Sequence, residues 1–121
     1  VLDVCIQVNV DVEPQKAGVA PAELPALVAH IAGLPRLRLR GLMVIPRQGG
    51  DSRQSFRRTR LLFEAMAPCA GPHWDTLSMG MSDDFEAAVE EGATIVRIGT
   101  AIFGPRNVGQ ESGAVAHAES V

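Results

Sequence analysis

Arg97 is the residue from which chemistry can first be argued. It stands inside the otherwise apolar run Thr94–Ile98 (TIVRI), and a guanidinium within a buried strand is costly unless something meets it. Two partners would serve: a carboxylate of the chain, in a structural ion pair, or a bound ligand. Gly99 and Thr100 follow two and three positions later, and their backbone amides could face an anion. Upstream, Ser82 precedes a helical segment, where a hydroxyl and free amides together suit a phosphate. Ser82 also reads as a plain helix cap, and the two roles are compatible. Asp83 and Asp84 weigh against an anion there, unless their side chains face away. Strand, Ser/Gly turn, helix, strand, Gly-Thr is the order in which a βα-barrel holds a phosphate after its last two strands.

The elements that must position these residues follow from periodicity. Val4–Val10 (VCIQVNV) is almost continuously apolar, as in a strand covered on both faces. Its Gln7 and Asn9 share one side, which is either the inside of a barrel or the helix-covered outside. Ala22–Ala32 carries Leu24, Leu27, Val28 and Ile31 at helical spacing, with Pro25 confined to a first turn and Gly33 as stop. Leu37–Ile45 is a second strand, alternating Leu37 and Leu39 with Arg38 and Arg40 before turning fully apolar. Ser52 or Asp51 can cap a helix to about Ala67 with Phe56, Thr59, Phe63 and Met66 inward; Arg53, Arg57 and Arg60 are read as its solvated face. Thr76–Met79 and Thr94–Ile98 are the third and fourth strands. Asp83–Glu91 is a helix between them, with Phe85, Ala88 and Val89 inward. Beyond Arg106 periodicity is lost, so residues 108–121 are expected to be a disordered tail and residues 1–107 the folded unit.

Four strands separated by three helices force parallel crossovers. The expected fold is α/β: half of a (β/α)8 TIM-type barrel, since a whole one needs roughly 250 residues and this chain has 121.

Composition narrows the function classes. An apolar share of 46% supports a core, a net charge of −3 argues against a general nucleic-acid binder, and no apolar run reaches membrane-spanning length. His73 lies just before the third strand, where a surface or packing role is commoner than catalysis. Cys5 and Cys69 fit no metal spacing and are read as reduced thiols of a cytoplasmic protein. The chain has no Tyr and one Lys, Lys16, so no acid/base pair for racemisation is visible.

The segments IQVNV, EPQKAG, LRLRGLMVIP and DTLSMGMSDDFEAAVEEGATIVRIGTAIFGPR together resemble the C-terminal half of the pyridoxal 5′-phosphate homeostasis protein family, over about Val4 to Arg106. That family is similar to the N-terminal barrel domain of alanine racemase. The resemblance implies pyridoxal 5′-phosphate as cofactor, with Arg97 at the pyridine nitrogen and Ser82, Gly99 and Thr100 at the phosphate. Ser78, Gly80 and Met81 are implied as further phosphate contacts. It also implies a cofactor carrier in vitamin B6 homeostasis rather than an enzyme, because an Arg at that nitrogen leaves the ring a poor electron sink. The lysine that the family joins to the cofactor belongs to the N-terminal half, and Lys16 matches a different, loop position. Two alternatives are a piece of a racemase-like enzyme and a truncated domain that binds nothing and self-associates.

A half-barrel exposes sheet edges and inner side chains, for which Ile6, Val8, Met43 and Ile95 are candidates. The partner expected is therefore a second copy, forming a homodimer, or a missing N-terminal half-barrel, with neither nucleic acid nor membrane involved.

Overall fold

The structure, a computed structural model, describes residues 1–14, 17–98 and 117–119. Strand β1 (Leu2–Gln7) is followed by α1 (Leu24–Ala32), β2 (Leu37–Met43), α2 (Ser52–Met66), β3 (Thr76–Ser78), α3 (Phe85–Glu90), β4 (Ile95–Arg97) and β5 (His117–Glu119). The five strands form one sheet in chain order. Pairs β1–β2, β2–β3 and β3–β4 are parallel, as the helical crossovers require, and β5 joins β4 antiparallel. Of the stretch 108–121, expected to be a disordered tail, His117–Glu119 forms β5 and the rest lies outside the described residues.

One face of the sheet is the core. Ile6, Leu42 and Leu77 lie in register across three strands and all are buried; Val8, Val44 and Met79 continue that face one step up. The helices cover it with Leu24 and Val28 of α1 and Phe56 and Thr59 of α2, the spacing that marked each helix as one-sided. Pro25 sits in the first turn of α1, where its missing amide costs nothing. The Asp51 carboxylate caps α2 by accepting from the Gln54 amide at 3.2 Å. The turn into β3 is anchored on α2: Trp74 Nε1 donates to the Phe63 carbonyl at 2.8 Å and the two rings stack 4.9 Å apart.

The opposite face carries Gln7, Met43, Ser78 and Ile95 in one register row. Ile6 and Val8, expected there, lie instead under the helices, because β1 alternates with the other parity; Met43 and Ile95 are half-buried. Val89, expected inside α3, is exposed: over six residues the helix turns Ala87 and Ala88 onto the core, and Phe85 is half-buried.

A bulge breaks the β1–β2 register, Val4 facing Leu39 and Cys5 facing Gly41, so that Arg40 is the extra residue. Its guanidinium clasps the Asp75 carboxylate twice, at 2.9 and 2.7 Å, and reaches Asp3 at 3.4 Å. That hydrogen bonding holds the Asp75 carboxyl below its ordinary value.

The α2 arginines are not a merely solvated face. Arg53 and Arg57 reach one Glu91 oxygen at 3.3 Å each, and Arg60 reaches the other at 3.6 Å. Glu91, at the end of α3, is 8% exposed, so α2 and α3 are joined through a nearly buried carboxylate. Hydrogen bonds from Arg57, and then from Arg53, hold its carboxyl below the usual glutamate range. A depressed carboxyl stabilises the fold above its unfolded pKa and loses that contribution as pH falls through the folded value. The urea midpoint of the unsubstituted chain is therefore expected to drop more steeply than that of Glu91→Gln between about pH 5 and 3. Parallel curves would show that the cluster adds nothing to stability.

The sheet edges are partly filled. Val19 lies along the upper part of β1, accepting from the Asn9 amide and donating to the Gln7 carbonyl, both at 2.9 Å. Asn9 also binds the main chain of Glu13 on both sides, at 2.7 and 3.0 Å, which orders that loop.

Candidate functional site

At the C-terminal ends of β3 and β4 the sheet brings three of the expected residues together. Arg97 is 8% exposed. Its Nη2 donates to the Val44 carbonyl at 3.1 Å, and its Nη1 lies 3.5 Å from the Ser78 hydroxyl. Its backbone amide donates to the Gly80 carbonyl at 2.9 Å. Among residues 1–14 and 17–98 no carboxylate comes within ion-pair distance of it. Burial pulls its pKa down, and the Asp84 charge, a weaker influence, pushes it back up. The ion-pair alternative thus finds no partner among those residues. Among the described residues it has two acceptors, the Val44 carbonyl and the Ser78 hydroxyl, and a guanidinium so enclosed suits a ligand acceptor.

Gly80 makes the turn after β3 possible. Its φ is +106°, and a Cβ there would stand 2.6 Å from the Ala88 Cβ and 3.3 Å from Val96 Cγ1. The backbone therefore packs directly against α3 and β4. Beyond it, Met81 donates its amide to Asp84 Oδ1 at 2.7 Å, and the Asp84 amide donates to the Met81 carbonyl at 3.2 Å. Asp84 closes the turn, and α3 begins only at Phe85.

This corrects the expectation at Ser82. It lies on the turn, half-buried and two residues before the capping position, so the helix start belongs to Asp84 rather than to Ser82. Locally, the Asp84 carboxylate and amide both bind back to the main chain of Met81, so Met81–Asp84 closes as a turn before the helix begins. Gly99, Thr100 and Lys16 lie outside the described residues.

Beside the turn opens a cleft of about 350 Å³ between the loop Ile45–Gly49 after β2 and the residues Met81, Asp83 and Asp84. Asp11 fastens this loop, accepting from the Arg47 amide at 2.7 Å and from the Ser55 hydroxyl at 2.8 Å. Neither Asp11 nor the Val44 carbonyl is marked by residue type or spacing; each contact joins segments far apart in the chain. Arg47 could have been noticed, as a cation in a Gly-rich loop at a strand's C-terminal end.

The alanine racemase N-terminal domain model matches residues 1–107. The chain belongs to that family. Among its relatives, the pyridoxal phosphate homeostasis protein of Escherichia coli strain K12 is 52% identical over 108 residues, which is 88% of this chain and 46% of that protein. The chain spans about half the length of the curated relatives it matches. PipY of Synechococcus elongatus, solved without PLP, superposes with a TM-score of 0.77 at 37% identity over 84% of this chain and 49% of PipY. PipY with PLP bound gives 0.71 at 36% identity over the same shares. Alanine racemase from Corynebacterium glutamicum, at 20% identity and a TM-score of 0.64, over 95% of this chain and 34% of that one, shares the fold. The four parallel strands and their helices are thus part of a racemase-type (β/α)8 barrel. No helix among the described residues is long and apolar enough to cross a membrane.

Proposed function

We propose that this chain binds pyridoxal 5′-phosphate at the C-terminal ends of β3 and β4 and serves in the cofactor's homeostasis, in the cytoplasm, rather than in catalysis. The observation that carries this is Arg97, a buried guanidinium without an ion-pair partner among residues 1–14 and 17–98, in a chain whose 52%-identical relatives are named for that cofactor. When bound, the cofactor supplies an aldehyde and an electron-poor ring. Arg97 would donate N–H to the ring nitrogen, and a charged donor there would keep that nitrogen unprotonated. Ser82 and the Gly99–Thr100 amides and hydroxyl hold the phosphate. Ser78 and Gly80 support Arg97 from below, one through its hydroxyl and the other through its carbonyl. The Met81 amide is engaged by Asp84, so Met81 contributes through its place on the turn.

A chain that matches 46% of its relatives' length supplies one part of such a site. The remaining wall comes from a second half-barrel, whether an N-terminal half or a second copy in a homodimer.

The phosphate assignment is tested by Ser82→Ala combined with Thr100→Ala. Each hydrogen bond to a charged group contributes about 1.5–3 kcal/mol, so affinity for pyridoxal 5′-phosphate, read by absorbance titration, should fall at least roughly tenfold. Unchanged affinity in the folded double variant would refute it.

A further inference from the structure

We infer that Asp11 is a positioning residue for Arg97: it pins the main chain just after Val44 and so fixes the carbonyl on which the guanidinium rests. The inference rests on the reading of Arg97 as a ligand contact and extends it to a residue outside the candidate site. Of the two acceptors that meet Arg97 among the described residues, the Val44 carbonyl at 3.1 Å is the stronger, since 3.5 Å to the Ser78 hydroxyl is at the limit of a hydrogen bond. Where Val44 stands therefore decides where Nη2 stands. The Val44 amide is held from β3, donating to the Ser78 carbonyl at 3.1 Å. β2 itself ends at Met43, and Pro46 has no N–H with which to extend the pairing. Arg47, three residues after Val44, is held on both sides: its amide donates to Asp11 Oδ2 at 2.7 Å and its carbonyl accepts from the Gly50 amide at 3.2 Å.

Asp11 is itself firmly placed. Its other carboxylate oxygen accepts from the Ser55 hydroxyl at 2.8 Å, in the first turn of α2, and the side chain is 12% exposed. The loop that offers it is closed by the Val12 amide on the Asn9 carbonyl at 3.1 Å and by the Asn9 side chain on the Glu13 main chain. Val12, next in the chain, has a φ of +53°, a left-handed conformation that a β-branched residue rarely takes. Such strain persists where surrounding contacts over-determine the backbone, and it gathers where a group must be aimed. Arg58 Nη1, 3.8 Å from Asp11 and half exposed, adds only a weak, screened attraction. One carboxylate thus ties the connection after β1 to α2 and to the connection after β2, whose first residue carries the acceptor of Arg97.

The test is Asp11→Ala in the full chain, read on Arg97 directly. The guanidinium N–H signals of Arg97, identified by their absence from Arg97→Met, should exchange about three- to tenfold faster, the equivalent of one hydrogen bond. Affinity for pyridoxal 5′-phosphate should fall by about the same factor. In an Arg97→Met background, Asp11→Ala should cost no further affinity, because its effect passes through the guanidinium. Asp11→Asn should restore both readings, its oxygen accepting from the Arg47 amide while its NH2 donates to the Ser55 hydroxyl. Unchanged Arg97 exchange would overturn the proposal, as would an equal loss of affinity in both backgrounds or an Asn variant no better than Ala. Faster exchange with affinity intact would remove Arg97 from the site, and Asp11 with it. Should Asp11→Ala unfold, Asp11→Leu fills the space without an acceptor; loss of the fold there too would make Asp11 a brace of the core and overturn the proposal. If the unsubstituted chain binds no pyridoxal 5′-phosphate, the proposed function fails, while Arg97 exchange still decides whether Asp11 positions the guanidinium.

Discussion

Gly41→Ala is expected to be the most destabilising single-methyl change in the described part of the chain. Gly41 sits in the middle of β2, just past the bulge, opposite Cys5 of β1 and Thr76 of β3. A Cβ built on it overlaps the Thr76 carbonyl oxygen and stands 2.6 Å from the carbonyl carbon and 3.0 Å from Thr76 Cα. All three are main-chain atoms, so no rotamer change relieves the clash. Relief requires β2 and β3 to separate, and their pairing covers only Gly41 to Met43. Overpacking a core typically costs about 1–3 kcal/mol. A backbone clash at a strand junction belongs at the upper end, about 3 kcal/mol, a large part of a typical domain's stability. In urea the midpoint should move well down with little change of slope. An unmoved midpoint would show that the strands do not approach so closely.

Gly41 also shows where sequence reading runs short. Its neighbourhood, LRLRGLM, reads well as a strand that starts half exposed, and β2 is such a strand. A glycine inside a strand pattern is also the usual mark of a bulge or a close backbone approach. The bulge depends on how β1 and β2 register, and register is a property of two segments rather than one. The one-sided helices were legible for the converse reason: Leu24 and Val28, or Phe56 and Thr59, are fixed by spacing within a single element.

Contacts between distant elements account for most of the remaining differences. The α2 arginines find Glu91, with Arg57 and Arg53 lying 34 and 38 positions from it, and nothing in helical periodicity points that far. Similarly, β1 ends at Gln7 rather than Val10 because Val8 and Asn9 turn to Val19, across a loop whose sequence shows only breakers. At the candidate site, Arg97 stood out by residue type, a charge within an apolar run, and is indeed buried. Its acceptor is a main-chain carbonyl 53 positions away, which no side-chain pattern encodes. Ser82 falls within a turn that Asp84 closes on the Met81 main chain, and the helix follows that turn.

Arg97→Met should separate binding from stability. Methionine is apolar, unbranched and of comparable reach, so it can fill much of the guanidinium's space without a charge. In the free chain Arg97 carries a buried charge, and its pKa is pulled down by that burial. Its compensation among the described residues is the Val44 carbonyl at 3.1 Å and the Ser78 hydroxyl at 3.5 Å. Removing the charge relieves its desolvation cost, which offsets the loss of a donor to the Val44 carbonyl and the Ser78 hydroxyl. Thermal or urea unfolding of the variant without ligand should therefore shift by no more than about 1 kcal/mol either way. Binding should respond differently. A charged donor to a ligand acceptor is worth about 1.5–3 kcal/mol, so affinity for pyridoxal 5′-phosphate should fall roughly 10- to 100-fold. Inorganic phosphate, which on this assignment meets Ser82, Gly99 and Thr100 but not Arg97, should compete equally well in the variant and the unsubstituted chain. The opposite pattern, a large loss of stability with cofactor affinity intact, would make Arg97 a brace between β4 and the strands beside it and remove it from the site. Arg97→Lys adds the geometric half: an ammonium keeps the charge but not the planar fork. If charge alone mattered, lysine would restore binding; the two-directional reach to Val44 and Ser78 predicts that it will not.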